Sequence, residues 1–308
     1  MSLSIGDTHF TVPTFDFYFK FKIPEPNKDR LITKRDYLGR IVESEMLSFL
    51  SYNWRMAGYD NVAKKYSDSM SNVGDFYHRT QIDPNVYKII GDPKDKIIYD
   101  LGCGNGYIAR NLAKKGAKVF ASDVSSELVK LAKEKSKGLE IDYSVRDALD
   151  FNGFADGQFD IVLMNMVIHY IKDVDALFRG ISRIVRKDGL FVLSTGHPFR
   201  PGRPYSVWEV GKIDNKEVLF VKVTGYLKKE TRNIVCWCDD KTKLVMYNQP
   251  LNLLVNTMAK YGLHTIQVEE PKSDGFAHDF SKKLQKSHHI PTFIIIGARK
   301  SADVKIHP

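Results

Sequence analysis

A glycine run and three spaced aspartates carry the chemistry of this chain. Tyr99-Asp-Leu-Gly-Cys-Gly-Asn-Gly-Tyr107 joins a short apolar segment to the start of a helix. Gly102, Gly104 and Gly106 let the backbone turn sharply and let a ligand approach it closely. The helix that follows begins with free N–H groups. Asp123 ends the next apolar segment, where an acidic side chain can accept both hydroxyls of a ribose. Asp147, in Arg146-Asp-Ala148, follows the third segment and can accept a hydrogen bond from an adenine amino group. These three positions suit an amino-acid tail, a ribose and an adenine. The spacing is not that of a dinucleotide loop, since Gly102-x-Gly104-x-Gly106 is one residue short of G-x-G-x-x-G.

Each candidate also has a plainer reading. Asp123 can cap the helix that Ser125 opens, and Asp147 can cap the segment after it. Cys103, between glycines, is expected to pack rather than react. His169 and His197 follow successive strands at the same sheet edge, and either could take a proton from a substrate oxygen or nitrogen. Lone histidines are more often structural hydrogen-bonders. In a strand the alternation of Cys236-Trp-Cys238 sends the two thiols to opposite faces, which suits neither a shared metal nor a disulfide. His288-His289 has no partner at ligand spacing, so no metal site is expected.

The elements that hold these residues are an alternating series. Strands are expected at 96–100, 118–123, 141–145, 159–166 and 190–195, with helices at 105–115, 125–137 and 173–185. Gly116 stops the first of these helices. Such a series predicts a parallel sheet covered on both faces. Trp54, Tyr59, Ala63 and Tyr66 recur at helical spacing ahead of it, and Pro84 can open a second short helix. Residues 198–249 break the rhythm, with antiparallel strands expected at 218–226, 233–237 and 244–247. A helix at 250–261 and strands at 264–269 and 292–297 close the chain. Residues 1–50 read as an extension whose segment Thr14–Ile23 alternates with period two. That strand would pack on the main domain or on a second subunit, so a homodimer is one possible arrangement.

This ordered set resembles the class I S-adenosylmethionine-dependent methyltransferases, in particular their small-molecule, type 11-like group. The resemblance rests on Asp100-Leu-Gly-Cys-Gly-Asn-Gly106, Asp123, Asp147-Ala148, Phe159 to His169, Arg186-Lys-Asp-Gly-Leu190 and Tyr247-Asn-Gln-Pro-Leu251. It spans roughly residues 51–300. It implies a Rossmann-like, doubly wound α/β sheet of seven strands in the order 3-2-1-4-5-7-6, the seventh antiparallel. Residues 51–95 would form lid helices, 96–197 the cofactor core and 198–249 a β insertion. Asp100, Gly102, Cys103, Gly104, Asn105 and Gly106 would border the methionine part of S-adenosylmethionine. Asp123 would take the ribose, Val124 would lie against the adenine, and Asp147 and Ala148 would flank it. Asn165 and Met166 would line the floor, with His169 just beyond. Family members often fold the lid over the cofactor, which brings in Tyr66 and Arg79.

The acceptor class follows from what is missing. Asn165-Met-Val-Ile168 stands where amino methylases of nucleic acid carry Asn/Asp-Pro-Pro-aromatic and cytosine-carbon methylases carry Pro-Cys. A small organic acceptor is expected. An RNA methyltransferase and a non-catalytic S-adenosylmethionine-binding protein are the alternatives, and a nicotinamide dehydrogenase conflicts with the loop spacing. The net charge of +9 is modest over 308 residues, and most of the excess lies in 198–308, which argues against a core built to track phosphates. Three cysteines, no basic-apolar leader at the start and no apolar run near ~20 residues lead to an expectation of a cytoplasmic protein without a membrane span.

Overall fold

The computed structural model describes residues 2–5, 8–11, 59–198, 206–227, 231–236, 238–239, 241–272 and 291–301. The chain divides into two compact units, Met1–Phe49 and Leu50–Pro308. In the first, β1 (Ser2–Ile5) pairs antiparallel with β2 (Thr8–Thr11). The strand expected over 14–23 lies outside the described residues.

The second unit is built on one sheet. Its strands are β3 (Ile97–Leu101), β4 (Lys118–Asp123), β5 (Ile141–Val145), β6 (Phe159–Asn165), β7 (Val185–Gly196), β12 (Leu263–Glu269) and β13 (Phe293–Lys300). They lie in the order β5-β4-β3-β6-β7-β13-β12. The first five are mutually parallel, and β13 runs antiparallel to both neighbours. Counted within the sheet this is the expected 3-2-1-4-5-7-6. A reversal of strand order between β3 and β6 opens a crevice at their carboxyl ends, where such sheets bind ligands.

Helices cover both faces. They are α1 (Ala63–Met70), α2 (Asp83–Ile90), α3 (Tyr107–Lys114), α4 (Ser126–Lys135), α5 (Val174–Ile184) and α6 (Leu251–Lys260), with a π-helical turn at His78–Ile82. Local chemistry sets their ends. Ser125 Oγ accepts the Leu128 amide and Asp173 Oδ1 accepts the Ala176 amide, so each caps its helix. Pro84 stands in the first turn of α2. On α5, Val174, Leu177, Phe178, Ile181 and Ile184 form one buried stripe against Phe191 and Leu193 of β7.

Gly180 on α5 is a packing requirement. A Cβ there would lie 2.1 Å from two ring carbons of Phe151. Arg183 holds that loop in place by donating to the Phe151 and Phe154 carbonyls at 2.7 and 2.8 Å. Gly180→Ala gains about 1 kcal/mol of helix propensity but meets an overpacking cost of about 1–3 kcal/mol. The urea midpoint is expected to fall, and an equal or higher midpoint would contradict this packing.

The insertion holds two hairpins, β8 (Ser206–Ile213) with β9 (Lys216–Val223) and β10 (Thr231–Val235) with β11 (Lys243–Tyr247). Sequence reasoning missed β8. Its signal was Asp214-Asn215, which both take positive φ, 49° and 61°, as a two-residue hairpin turn requires.

Candidate functional site

At the head of β3 the chain leaves a buried strand and starts α3 within a few residues. Gly102, Gly104 and Gly106 take φ of 80°, 55° and 74°. The absence of a side chain matters most at Gly102, where a Cβ would fall 2.4 Å from Cγ2 of Val167. At Gly104 it would meet the Tyr66 phenol oxygen at 3.1 Å. The Gly102 and Cys103 amides both donate to the Ser122 carbonyl at 2.8 Å, which pins the loop to β4. Asp123 completes the cradle. Its Oδ2 accepts the Gly104 amide and its Oδ1 the Ser125 amide, each at 2.9 Å. A carboxylate offers about four lone-pair sites, so acceptor capacity remains for the hydroxyls of a ribose.

The electrostatics under this loop favour a cation. Asp100 is buried, and its Oδ2 has no hydrogen-bond partner among the described residues. Burial, then the carboxyls of Asp123 and Asp83, push its pKa up to about 7. Burial raises Asp83 to about 6 and also raises Asp123. No lysine or arginine forms an ion pair with any of the three among the described residues. Unpaired buried carboxyls are costly when charged, and a positively charged ligand beside them relieves that cost. An adenosyl ligand with an α-ammonium and a sulfonium centre fits both the charge of the site and the spare acceptors of Asp123.

The end of β6 forms the other wall. Asn165 Oδ1 accepts the Ser194 hydroxyl. Its amide nitrogen donates to the Tyr107 phenol at 3.4 Å, and that phenol donates to Asp83 Oδ1 at 3.0 Å. Met166 takes φ 60°, an uncommon conformation for a non-glycine residue. Its amide is held by the Ser194 carbonyl and hydroxyl at 3.1 and 3.0 Å. Such strain persists where the surroundings over-determine it. His169 follows in the short turn Ile168–Tyr170, buried, with its ring 4.2 Å from that of Tyr170.

The lid closes on this loop through polar contacts. Asn105 Nδ2 donates to the Ser71 carbonyl at 3.0 Å and to Ser67 O and Oγ at 3.3 and 3.4 Å. Asp60 Oδ1 accepts the Ser125 hydroxyl at 2.5 Å and the Glu127 amide at 3.2 Å, at the N-terminus of α4. The Tyr59 and Tyr170 hydroxyls meet at 2.8 Å, and Val62, Cys236 and Leu244 pack around them. The β10–β11 hairpin therefore rests on the lid. Gln249 donates to the Ile171 carbonyl and Asn248 to the Tyr226 carbonyl. The first bond ties the end of the insertion to the turn after β6, and the second joins two parts of the insertion.

Most of the residues singled out by sequence gather here, some in altered roles. Asp100, Gly102, Cys103, Gly104, Gly106, Asp123, Asn165, Met166 and Tyr66 surround the loop. Asn105 turns its side chain to the lid. The Cys103 thiol is buried and pushed well up by burial and by Asp100 and Asp123, which disfavours the thiolate that a nucleophile needs. Asp147 Oδ1 accepts the Leu149 amide at 2.8 Å, and Val124 and Ala148 are each partly exposed. Arg79 is not brought to the site: it is exposed, and its Nε donates along its own turn to the Asp75 carbonyl. His197 is buried with Nε2 2.8 Å from Glu270 Oε1. The two thiols of Cys236-Trp-Cys238 do not part to opposite faces. β10 ends at Val235, and a turn closed by the Asp239 amide on the Cys236 carbonyl brings both into one cluster. His288 and His289 lie outside the described residues. Sequence reasoning missed Asp60, Asp83, Tyr107, Ser194 and Glu270, whose partners are remote in sequence.

Comparison with known proteins agrees with this geometry. Residues 99–193 match the methyltransferase domain family. The chain is 32% identical over 106 residues to a ubiquinone biosynthesis O-methyltransferase of Xanthomonas axonopodis pv. citri (strain 306), covering 34% of this chain and 44% of that protein. It thus spans less than half the length of the curated relatives it matches. An S-adenosylmethionine dependent methyltransferase from Mesorhizobium loti superposes with TM-score 0.58 at 23% identity, over 70% of this chain and 96% of that one. A candidate S-adenosylmethionine dependent methyltransferase from Listeria monocytogenes gives TM-score 0.58 at 22% identity, over 71% and 96%. These likenesses establish the fold. Residues 99–193 therefore match the methyltransferase domain family, and they lie on the Rossmann-like seven-stranded fold that these two S-adenosylmethionine dependent methyltransferases also have.

Proposed function

We propose that the chain transfers a methyl group from S-adenosylmethionine to an oxygen, nitrogen or carbon atom of a small organic acceptor. The observation that carries this reading is the cradle of Asp123 and the glycine loop set beside the buried Asp100 carboxyl, whose Oδ2 has no hydrogen-bond partner among the described residues. S-Adenosylmethionine, when bound, supplies an activated methyl carbon, so the chain has only to orient the acceptor and exclude water. Asp123 and Asp147 hold the nucleoside, and Asp100 faces the cationic end. The lid and the β10–β11 hairpin enclose the acceptor side. His197, fixed by Glu270, accepts the proton of an acceptor hydroxyl or amine. The curated relatives are named O-methyltransferases, which supports oxygen as the first atom to test.

The test is transfer of labelled methyl from S-adenosylmethionine to a panel headed by hydroxylated aromatic compounds, with amines and RNA as further arms. Product from a small acceptor is expected. His197→Gln should lower turnover by about 10²-fold, the lower end for a positioned proton acceptor, with S-adenosylhomocysteine affinity unchanged. Label entering RNA alone, or no product with any arm despite cofactor binding, would overturn the small-acceptor reading.

A further inference from the structure

A cleft outside the cofactor cradle has the chemistry of an anion site. Asn72, Arg110, Asn111, Lys114, Lys135 and Lys137 line a space of about 280 Å³ between the lid loop, α3 and the end of α4. No carboxylate lines it. None of its four cations forms an ion pair among the described residues. Arg110 is the informative member. It is 4% exposed, yet its guanidinium meets only neutral groups, Asn105 O at 2.7 Å, Asn72 Oδ1 at 3.4 Å and the Tyr143 phenol. Buried charges are normally paired. Lys135 likewise donates to a neutral group, Ser67 Oγ, at 2.6 Å.

Helix ends account for part of this arrangement. Lys114 and Lys135 lie in the last turns of α3 and α4, where the helix dipole favours a cation. That leaves Lys137, which lies beyond the end of α4, and Arg110, which sits inside α3. Helix ends do not explain these two cations, although Arg110 also ties α3 to the Asn105 carbonyl and Asn72.

We propose that this cleft binds a small phosphate-bearing anion of about pyrophosphate size. Lysine and arginine bind phosphate oxygens through charge-assisted hydrogen bonds. The volume lies just below the ~300 Å³ at which pockets for larger organic ligands begin, so it suits one or two phosphate groups with their water. A nucleic acid would instead need an extended basic track. The proposal does not depend on the methyl-transfer reading.

Calorimetric titration of the full chain with pyrophosphate at low salt tests it. Saturable one-to-one binding is expected, weakened by roughly tenfold or more in the double variant Lys114→Gln/Lys137→Gln, the scale of one charge-assisted hydrogen bond. Both lysines are exposed and outside the cofactor cradle. The variant should therefore bind S-adenosylhomocysteine as the wild type does, which separates a lost anion site from a lost fold. Absence of saturable binding, or equal binding by the variant, would overturn the proposal. So would a short RNA that binds more tightly than pyrophosphate and is lost in the same variant, because the ligand would then be a nucleic-acid backbone.

Discussion

Asp123→Ala is expected to weaken S-adenosylhomocysteine binding by at least roughly 1–3 kcal/mol, the scale of losing hydrogen bonds to a charged acceptor. Two losses combine. The ribose hydroxyls lose their acceptor, and the Gly104 and Ser125 amides lose the carboxylate that joins the glycine loop to the start of α4. Asp123→Asn keeps one carbonyl oxygen, and so one of the two amide contacts, and should fall between wild type and alanine. Calorimetry well below the melting temperature separates binding from stability. Unchanged affinity in the alanine variant would remove Asp123 from the cofactor contact.

Cofactor affinity is expected to rise about tenfold between pH 5.5 and 7, with a proton released on binding. Asp100 is held near 7 and Asp83 near 6 in the ligand-free chain, chiefly by burial. Both lie above the ordinary carboxyl value of 3.8. Their stabilising contribution is therefore complete below about pH 4 and is lost as pH rises through 6 and 7. A cationic ligand reverses that trend, because it binds the ionised carboxyls and draws their pKa values down. The window ends near pH 7 because the α-amino group of the ligand itself titrates near ~8. Titration in two buffers of different ionisation enthalpy measures the proton count. Asp100→Asn should remove most of the proton release and flatten the pH slope, leaving the share of Asp83. A flat profile in the wild type would mean that the bound cation does not lie against Asp100.

The parts of the fold that were legible in the sequence are those that local chemistry determines. The glycine loop, the cap Ser125 and the acidic strand ends each signal through a few adjacent residues, and the strand–helix alternation follows from periodicity. The seven-strand order was available only through the resemblance, since nothing local says that β13 inserts between β7 and β12. What was not legible depends on contacts distant in sequence. Asp60 meets Ser125, Asp83 meets Tyr107 and His197 meets Glu270 across separations of 65, 24 and 73 residues. Cys236 and Cys238 were misread because one boundary was: ending β10 at Val235 converts strand alternation into a turn. The side chain of Asn105 carried no signal that it would serve the lid.

We propose that the cradle of Asp100, the glycine loop and Asp123 is an S-adenosylmethionine site. Calorimetric titration of the full chain with S-adenosylmethionine and S-adenosylhomocysteine, with NAD as the control, tests it most directly. One-to-one micromolar binding of both adenosyl compounds, weakened in Asp123→Ala and absent for NAD, is the predicted result. No binding of either adenosyl compound, or binding of NAD in their place, would contradict it.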